Sequence, residues 1–222
     1  MPDVAVGLRR LTSAIADELG LIGATVALRT STGNEAVTAS SGDGHQGLDE
    51  LEFSLGEGPG VDALSVGRPM LEFDLASASG RWPGYAPAAV RAGARAAYAF
   101  PLQLGAVRFG VLTLYSSTAR RLENHELSQC LIFAEVATEL LLDSSTSGSA
   151  DRPDPDLQEA MHIRTEVYQA QGMVTVALDV SLGEALARMR AFAYAEGYDL
   201  NGLAAAIVAR RIRLTRDGPP TR

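Results

Sequence analysis

The spacing of apolar residues changes several times along the first half of the chain, and each change marks a new element. From Val4 to Leu19 they recur every three or four residues, which predicts an amphipathic helix that ends at Gly20. The β-branched runs 24–29 and 35–40 lie on either side of a turn. This pattern indicates a β-hairpin.

A polar, glycine-rich stretch over 41–50 is predicted to be a loop, and the glycine-rich turn 55–60 precedes a predicted short helix at 61–66. Backbone amides before a helix attract anions. This turn lacks the G-x-G-x-x-G spacing and the G-K-[ST] ending, and Glu57 places a negative charge where a phosphate would sit. We interpret it as a structural turn beside a small-molecule pocket.

Two apolar runs, 96–104 and 107–115, are separated only by Gly105 and Ala106, which predicts a tight hairpin with a primed turn. Pro101 is expected at a sheet edge or bulge. The helix predicted over 123–142 has two apolar stripes and must be covered on two sides. The sheet can cover one side, and the first helix or a second subunit the other, so we expect a homodimer. The stripes are Leu127, Leu131, Ala134 and Leu141, and Ile132, Phe133, Val136 and Leu140.

Residues 143–156 contain no large apolar side chain and are predicted to be a linker between two folding units. The remaining chain is predicted to be helical. Ser181 and Glu184 form a capping-box pattern, Gly197 is expected to end that helix, and a third helix is predicted over 199–214.

Charge is distributed unevenly around a net value of -8. Residues 1–156 carry 11 Arg and 20 acidic residues, whereas residues 157–222 carry 8 Arg and 7 acidic residues. All cations are arginine, a planar group that can stack on a base or bind a phosphate bidentately. The acidic total argues against indiscriminate nucleic-acid binding. Without an apolar run of transmembrane length or a signal peptide, we expect a cytoplasmic protein with no membrane partner.

Catalytic chemistry is not indicated. A single cysteine, Cys130, excludes an internal disulfide and any multi-cysteine metal site, and its neighbours predict a small buried hydrophobe. His45, His125 and His162 have neither metal-ligand spacing nor a nucleophile partner. We therefore predict neither catalytic residues nor a metal, and we expect that the protein is not an enzyme.

Residues 3–142, with their helix, antiparallel strands, small helices, hairpin and helix, resemble the GAF family of sensory domains. The resemblance includes Gly56-Glu-Gly-Pro-Gly-Val-Asp-Ala63, Arg81-Trp-Pro83 and Phe100-Pro-Leu-Gln103. GAF domains bind varied ligands, so the resemblance implies a sensory role and leaves the ligand and any cofactor unknown. Trp82, Tyr85 and Tyr98 are candidate ligand-binding residues, and the alternative is that each is a core aromatic.

The C-terminal motifs resemble the ANTAR domain, a three-helix RNA-binding module of transcription antiterminators. They cover residues 157–214 and include Arg164, Gln169-Ala-Gln-Gly-Met173, Ser181 with Glu184-Ala185, Arg190, Leu203-Ala204 and Ile207-Val208. The family usually has Ala-Lys-Gly where this chain has Gln171. Because glutamine cannot neutralise a phosphate, the salt-dependent part of RNA affinity should be reduced.

The resemblance implies an α+β GAF-like domain over 3–142, a linker over 143–156 and an ANTAR domain over 157–214. Its expected partner is RNA with tandem stem-loops in nascent transcripts, with sequence read in the loops. Candidate contacts are Arg164, Gln171, Arg190, Tyr194, Arg210, Arg211 and Arg213. The arginines have alternative roles: Arg164 and Arg190 as solvated helix surface, and the other three as partners of a helix C-terminus. The alternative function is a ligand-binding or protein-interaction module whose helical C-terminus serves assembly.

Overall fold

The computed structural model describes residues 4–29, 35–41, 46–146 and 155–215. The chain forms two compact units, one comprising Met1–Phe53 and Glu57–Gln158 and the other comprising Glu159–Arg222 with Ser54–Gly56. The described elements up to residue 146 are α1 (Val4–Glu18), β1 (Gly23–Arg29), β2 (Glu35–Ser41), α2 (Gln46–Leu55), α3 (Pro59–Val66), β3 (Met70–Glu72), a 3₁₀ helix (Leu75–Gly80), α4 (Tyr85–Arg91), β4 (Ala96–Leu104), β5 (Val107–Ser116) and α5 (Asn124–Thr146).

The five strands form one antiparallel sheet in the order β2-β1-β5-β4-β3. The strands of both predicted hairpins pair, and the turn of the first, 31–34, lies outside the described residues. In the second hairpin Leu104 pairs with Val107, which leaves Gly105 and Ala106 as the turn. Gly105 has φ +59°, the positive value that a primed turn requires of its first central residue. Strand β3 pairs with Ala97 to Ala99 of β4. Pro101 lies beyond this pairing, so its missing amide hydrogen costs no hydrogen bond to β3.

Alternation along the strands gives the sheet two different faces. One face packs against α1 and α5 through the larger side chains, such as Leu112 and Leu114 on β5. The other face includes Ala27, Ala99 and Val111 and packs against Ala63 and Leu64 of α3.

Helix α2 corrects the predicted loop over 41–50, because the helix begins at Gln46. Its start carries Asp49 in the first turn, and Leu48 and Phe53 are buried. Leu48, Leu51 and Leu55 are spaced by three and four residues, as in a helix, but the polar and glycine residues of 41–50 obscured this pattern in the sequence.

The long helix α5 begins one residue later and ends four residues later than predicted. Cys130, Ala134, Ala137 and Leu141 are buried, and α1 packs alongside α5, with Gly7 close to Leu140. Three side chains of the predicted stripes are exposed instead: Leu131, Ile132 and Val136 are 47%, 58% and 41% exposed. These three side chains are not covered within one protomer, so their predicted cover by a second subunit stays a prediction.

The C-terminal helices are α6 (Pro155–Leu178), α7 (Leu182–Glu196) and α8 (Leu200–Val208). Helix α7 begins where predicted, and the Ser181 side chain caps it by accepting a hydrogen bond from the Glu184 amide at 3.2 Å. The other half of the predicted capping box does not form, because the Glu184 carboxylate accepts a hydrogen bond from Arg188 at 2.7 Å and not from the Ser181 amide. The helix ends at Gly197, which has a left-handed φ of +69°. Helix α8 ends at Val208, six residues before its predicted end at Leu214.

Helical structure extends into both ends of the predicted linker, because α5 ends at Thr146 and α6 begins at Pro155. The middle of that segment, 147–154, lies outside the described residues. Among the described helices, none combines the length and the apolar character needed to cross a membrane.

Candidate functional site

Six polar side chains lie together on the sheet face that packs against α3, and we call them the buried polar cluster. The strands supply three of them and helices α2 and α4 the rest, and none is more than 8% exposed. They are Thr25 on β1, Thr113 and Tyr115 on β5, Asp49 and Glu52 on α2, and Tyr85 on α4. Buried polar groups are normally hydrogen-bonded, so these six side chains must serve as hydrogen-bonding partners for one another.

Glu52 links the cluster to the glycine-rich turn. Its Oε2 accepts a hydrogen bond from the Val61 amide at 3.2 Å, in the first turn of α3. The backbone passes so close that a Cβ on Gly58 would lie 2.6 Å from Glu52 Cγ, and one on Gly60 would overlap the carboxylate. Gly58 also has φ +143°, which side-chain-bearing residues rarely adopt. The turn therefore gives the buried carboxylate room at the start of α3.

Two tyrosines supply hydroxyl groups to the same cluster. Burial raises the pKa of Tyr85 well above 10, and the neighbouring Tyr115 and Glu52 raise that pKa further. Burial likewise raises the pKa of Tyr115, and the Glu52 and Asp49 carboxylates add to the effect. Both phenols therefore stay protonated at neutral pH and can donate hydrogen bonds.

Glu57 has a structural role in the same turn. Its Oε1 accepts hydrogen bonds from the amides of Gly84 and Tyr85 at 2.6 and 2.8 Å, at the beginning of α4. The carboxylate thus takes the position at the helix start that an anion could otherwise occupy. The carboxylate that lies against the first turn of α3 is that of Glu52, so the negative charge expected there from Glu57 comes from Glu52 instead.

Trp82 and Tyr85 are interior residues, 1% and 0% exposed, and their rings meet edge to face at 6.2 Å. Asp62 accepts hydrogen bonds from Trp82 Nε1 at 3.1 Å and from Arg81 Nε at 2.9 Å. The Arg81 guanidinium also lies 4.9 Å from the Trp82 ring centroid. Trp82 is thus held by its hydrogen bond to Asp62 and by packing against Arg81 and Tyr85, whereas the Tyr85 hydroxyl belongs to the buried polar cluster.

Tyr98 lies on the opposite face of the sheet. It belongs to the core formed with α1 and α5, and its hydroxyl donates a hydrogen bond to the Arg120 carbonyl at 2.7 Å. Burial raises the pKa of Tyr98 to about 12. The structure therefore separates Tyr98 from Trp82 and Tyr85, and the three predicted residues do not line one pocket.

Five members of the buried polar cluster were not predicted from the sequence to be site residues: Thr25, Asp49, Glu52, Thr113 and Tyr115. The acidic pair is spaced by three residues, so both carboxylates fall on one face of a helix. That signal was hidden because α2 was predicted to be partly loop. Thr113 and Tyr115 alternate with Leu112 and Leu114 along β5, and this period of two was the available clue to their shared face.

In the C-terminal unit, the predicted contact residue Gln171 is an internal link between helices. Its side chain is only 4% exposed, and Nε2 donates a hydrogen bond to the Leu182 carbonyl at 2.8 Å. A side chain so placed presents almost no surface to RNA. The polarity of glutamine at this position satisfies a backbone carbonyl at the start of α7.

Arg190 and Tyr194 lie on α7 four residues apart, which places them on the same side of the helix. Arg190 is half-buried, and Tyr194 is 73% exposed. Nearby, Phe192 and Tyr198 stack with ring centroids 6.1 Å apart. Arg164 lies in α6, but its side chain is outside the described residues.

The three remaining candidates, Arg210, Arg211 and Arg213, are exposed on the segment that follows α8. The Arg210 amide donates a hydrogen bond to the Ile207 carbonyl, and the Arg211 amide donates one to the Ala206 carbonyl. These two bonds form a Schellman motif, with Arg210 in the left-handed position at φ +57°. Glycine is usual at this position, so the Arg210 backbone is strained.

Other reactive groups do not form a second site. Cys130 is buried, and burial raises the pKa of its thiol to about 12, so it is an unreactive hydrophobe. Among the described residues, no group of three or more His, Cys, Asp or Glu side chains could hold a metal ion.

No family model matches the chain, and no curated protein matches its sequence. Solved structures do match its fold. The GAF domain of the cyanobacteriochrome TePixJ has a TM-score of 0.52 at 18% identity, covering 64% of this chain and 91% of that domain. The GAF domain of a Coxiella burnetii phosphoenolpyruvate-protein phosphotransferase has a TM-score of 0.56 at 14% identity, covering 67% of this chain and 88% of that domain.

A third neighbour, the GAF domain of an Acinetobacter phosphoenolpyruvate-protein phosphotransferase, has a TM-score of 0.54 at 11% identity and covers 68% of this chain and 89% of its own. Together with the five-stranded antiparallel sheet and its flanking helices, these likenesses show a GAF domain fold. This part of the fold prediction is confirmed.

Proposed function

We propose that this chain is a signal-responsive RNA-binding regulator. The unit with the GAF fold receives a signal, and the C-terminal helices bind stem-loop RNA as an ANTAR domain and act in transcription antitermination. The support for the second part is the resemblance of residues 157–214 to the ANTAR motifs, together with the surface that those helices expose.

The exposed arginine segment is the observation that carries the proposal. No described carboxylate forms an ion pair with Arg210, Arg211 or Arg213, whereas Arg188 on α7 is paired with Glu184 at 2.7 Å. Three guanidinium groups within four residues can neutralise neighbouring phosphates, and this supplies the charge that Gln171 does not. The exposed ring of Tyr194 offers a stacking surface for an unpaired base of the loop.

The proposed sensory role rests on the GAF fold and on the chemistry of the buried polar cluster. One structural neighbour is the GAF domain of a cyanobacteriochrome, a sensory context for this fold. In the cluster, protonated phenols can donate hydrogen bonds and carboxylates can accept them, which is the chemistry that recognises a small polar molecule. The identity of the signal and of any cofactor is open.

The regulator is proposed to work as a homodimer. Leu131, Ile132 and Val136 give α5 an exposed apolar side next to α1, and a second copy of the same surface would cover it. Pairing two protomers would also place two C-terminal units in one assembly. Two units are what tandem stem-loops would engage.

The direct test is binding to tandem stem-loop RNA compared with an unrelated RNA of equal length, measured by electrophoretic mobility shift. We expect Arg164→Ala, Arg190→Ala and Tyr194→Ala each to weaken binding, and Arg91→Ala, an exposed arginine of α4, to leave it unchanged. If the wild type shows no preference for the stem-loops, the RNA proposal fails. The helical C-terminus would then be an assembly device, the alternative function.

A further inference from the structure

A groove of about 970 Å³ lies within the C-terminal unit, between the second half of α6 and the segment after α8. Its wall is aliphatic. It includes Met173, Val176 and Ala177 of α6, Ile207 of α8, and Ile212 and Leu214 of the following segment. The volume falls in the range of small-molecule sites, which are mostly apolar and carry a few polar groups that fix orientation.

The polar part of the groove is cationic. Arg210 and Arg213 line it, and no carboxylate is among the described residues that do so. Arg211, between them in sequence, is not part of the lining. The Schellman motif at the end of α8 therefore directs two of three neighbouring arginines to the groove, and the strained backbone of Arg210 is part of that arrangement.

Val176 shows that the groove wall is open to solvent. It is 83% exposed, the largest exposed fraction among the large hydrophobic residues that the structure describes as exposed. Val176 forms one aliphatic lining with Ala177, Ile212 and Leu214, and an apolar surface of several residues favours an occupant with an apolar body.

We propose that this groove binds an amphipathic anion, a molecule with an aliphatic chain and a carboxylate or phosphate head. The chain lies on the wall that includes Val176 and Ile212, and Arg210 and Arg213 hold the head through charge-assisted hydrogen bonds. An aliphatic wall without an aromatic side chain favours a hydrocarbon chain over a stacked nucleobase. The site goes beyond the proposed RNA contact, which would use Arg211 as well.

The test uses the full chain and the fluorescent fatty acid 11-(dansylamino)undecanoate, with its methyl ester as the uncharged match. We expect saturable binding of the acid and at least about tenfold weaker binding of the ester, because the ester loses the ionic hydrogen bonds. Decanoate should displace the probe and acetate should not, since each buried methylene strengthens binding up to about fourfold.

Variants assign the binding to this groove. Arg213→Gln should weaken probe binding about tenfold or more, whereas Arg211→Gln, outside the lining, should leave probe binding unchanged. Val176→Asp should also weaken it, and Ala195→Asp, an exposed change on α7, should not. Both Asp variants replace exposed residues, so circular dichroism should show that each is folded.

The proposal is overturned if the acid does not bind saturably, if the ester binds as well as the acid, or if Arg211→Gln matches Arg213→Gln. It is also overturned if Val176→Asp changes only the sedimentation coefficient, because the groove would then be a contact between copies of the chain. The RNA proposal is judged separately by stem-loop binding, so either proposal can fail alone.

Discussion

Asp62 gives a quantitative test of how the N-terminal unit holds its single tryptophan. The carboxylate accepts hydrogen bonds from buried Trp82 Nε1 at 3.1 Å and from Arg81 Nε at 2.9 Å, with a further Arg81 Nη2 contact at 2.8 Å. In Asp62→Ala the indole N–H loses its acceptor inside the protein, which costs about 1–3 kcal/mol. The Arg81 ion pair is partly exposed and adds at most about 1 kcal/mol after solvent screening.

We therefore expect Asp62→Ala to lower the free energy of unfolding by about 2–3 kcal/mol, and the midpoint temperature by roughly 4–10 °C for a unit of this size. Asp62→Asn is the matched control, because its side-chain oxygen can still accept from Trp82 while the charge is lost. It should lose at most about 1 kcal/mol.

Urea unfolding followed by fluorescence measures both variants, since Trp82 is the only tryptophan and reports on this unit. The reasoning is refuted if Asp62→Ala and Asp62→Asn unfold at the same urea concentration. That result would mean that the indole hydrogen bond contributes nothing measurable.

Three further predictions concern pH, capping and assembly. Tyr85, Tyr98 and Tyr115 have pKa values that are raised in the folded state, so the stability that they confer is complete below about pH 10. Above that pH the free energy of unfolding should fall by up to about 1.4 kcal/mol per pH unit for each tyrosine. Urea midpoints at increasing pH measure this fall, and a flat profile would contradict the prediction. Ser181→Ala should remove about 1 kcal/mol by uncapping α7, measured by thermal unfolding, and Ser181→Asp should retain most of the stability. Ile132→Glu should convert the proposed dimer to a folded monomer in sedimentation velocity; a wild type that is already monomeric at micromolar concentration would exclude the dimer.

The second hairpin and the ends of α7 were predictable because local sequence signals mark them. The hairpin around Gly105 is an example, since two apolar runs separated by two residues allow few other structures. Ser181 and Gly197 likewise marked the ends of α7, because their preferred backbone conformations are local properties.

The end of α8 was not predictable in the same way. Arg210 takes the left-handed conformation that normally indicates glycine, so the chain leaves the helix at a residue with no sequence signal for it. The apolar residues Ile212 and Leu214, which suggested further helix, line the groove on the following segment instead.

The candidate sites show the same limit. Gln171 has the chemistry of a base-contacting side chain, but a neighbouring helix start satisfies its amide, and only tertiary structure reveals this. The buried polar cluster brings together residues 25, 49, 52, 85, 113 and 115, which are spread over some ninety positions. Their proximity depends on sheet order and on the turn that makes room for Glu52, and neither follows from local patterns.

The central claim, that the C-terminal unit binds RNA through its arginine segment, is tested most directly by salt dependence. The measurement is the affinity for tandem stem-loop RNA over a series of salt concentrations, for the wild type and for the combined Arg210→Gln, Arg211→Gln and Arg213→Gln variant. Each lost phosphate contact should reduce the slope of log affinity against log salt by about 0.7–0.9, so the variant's slope should be shallower by roughly 2–3. Identical slopes and affinities for the two proteins would contradict the claim.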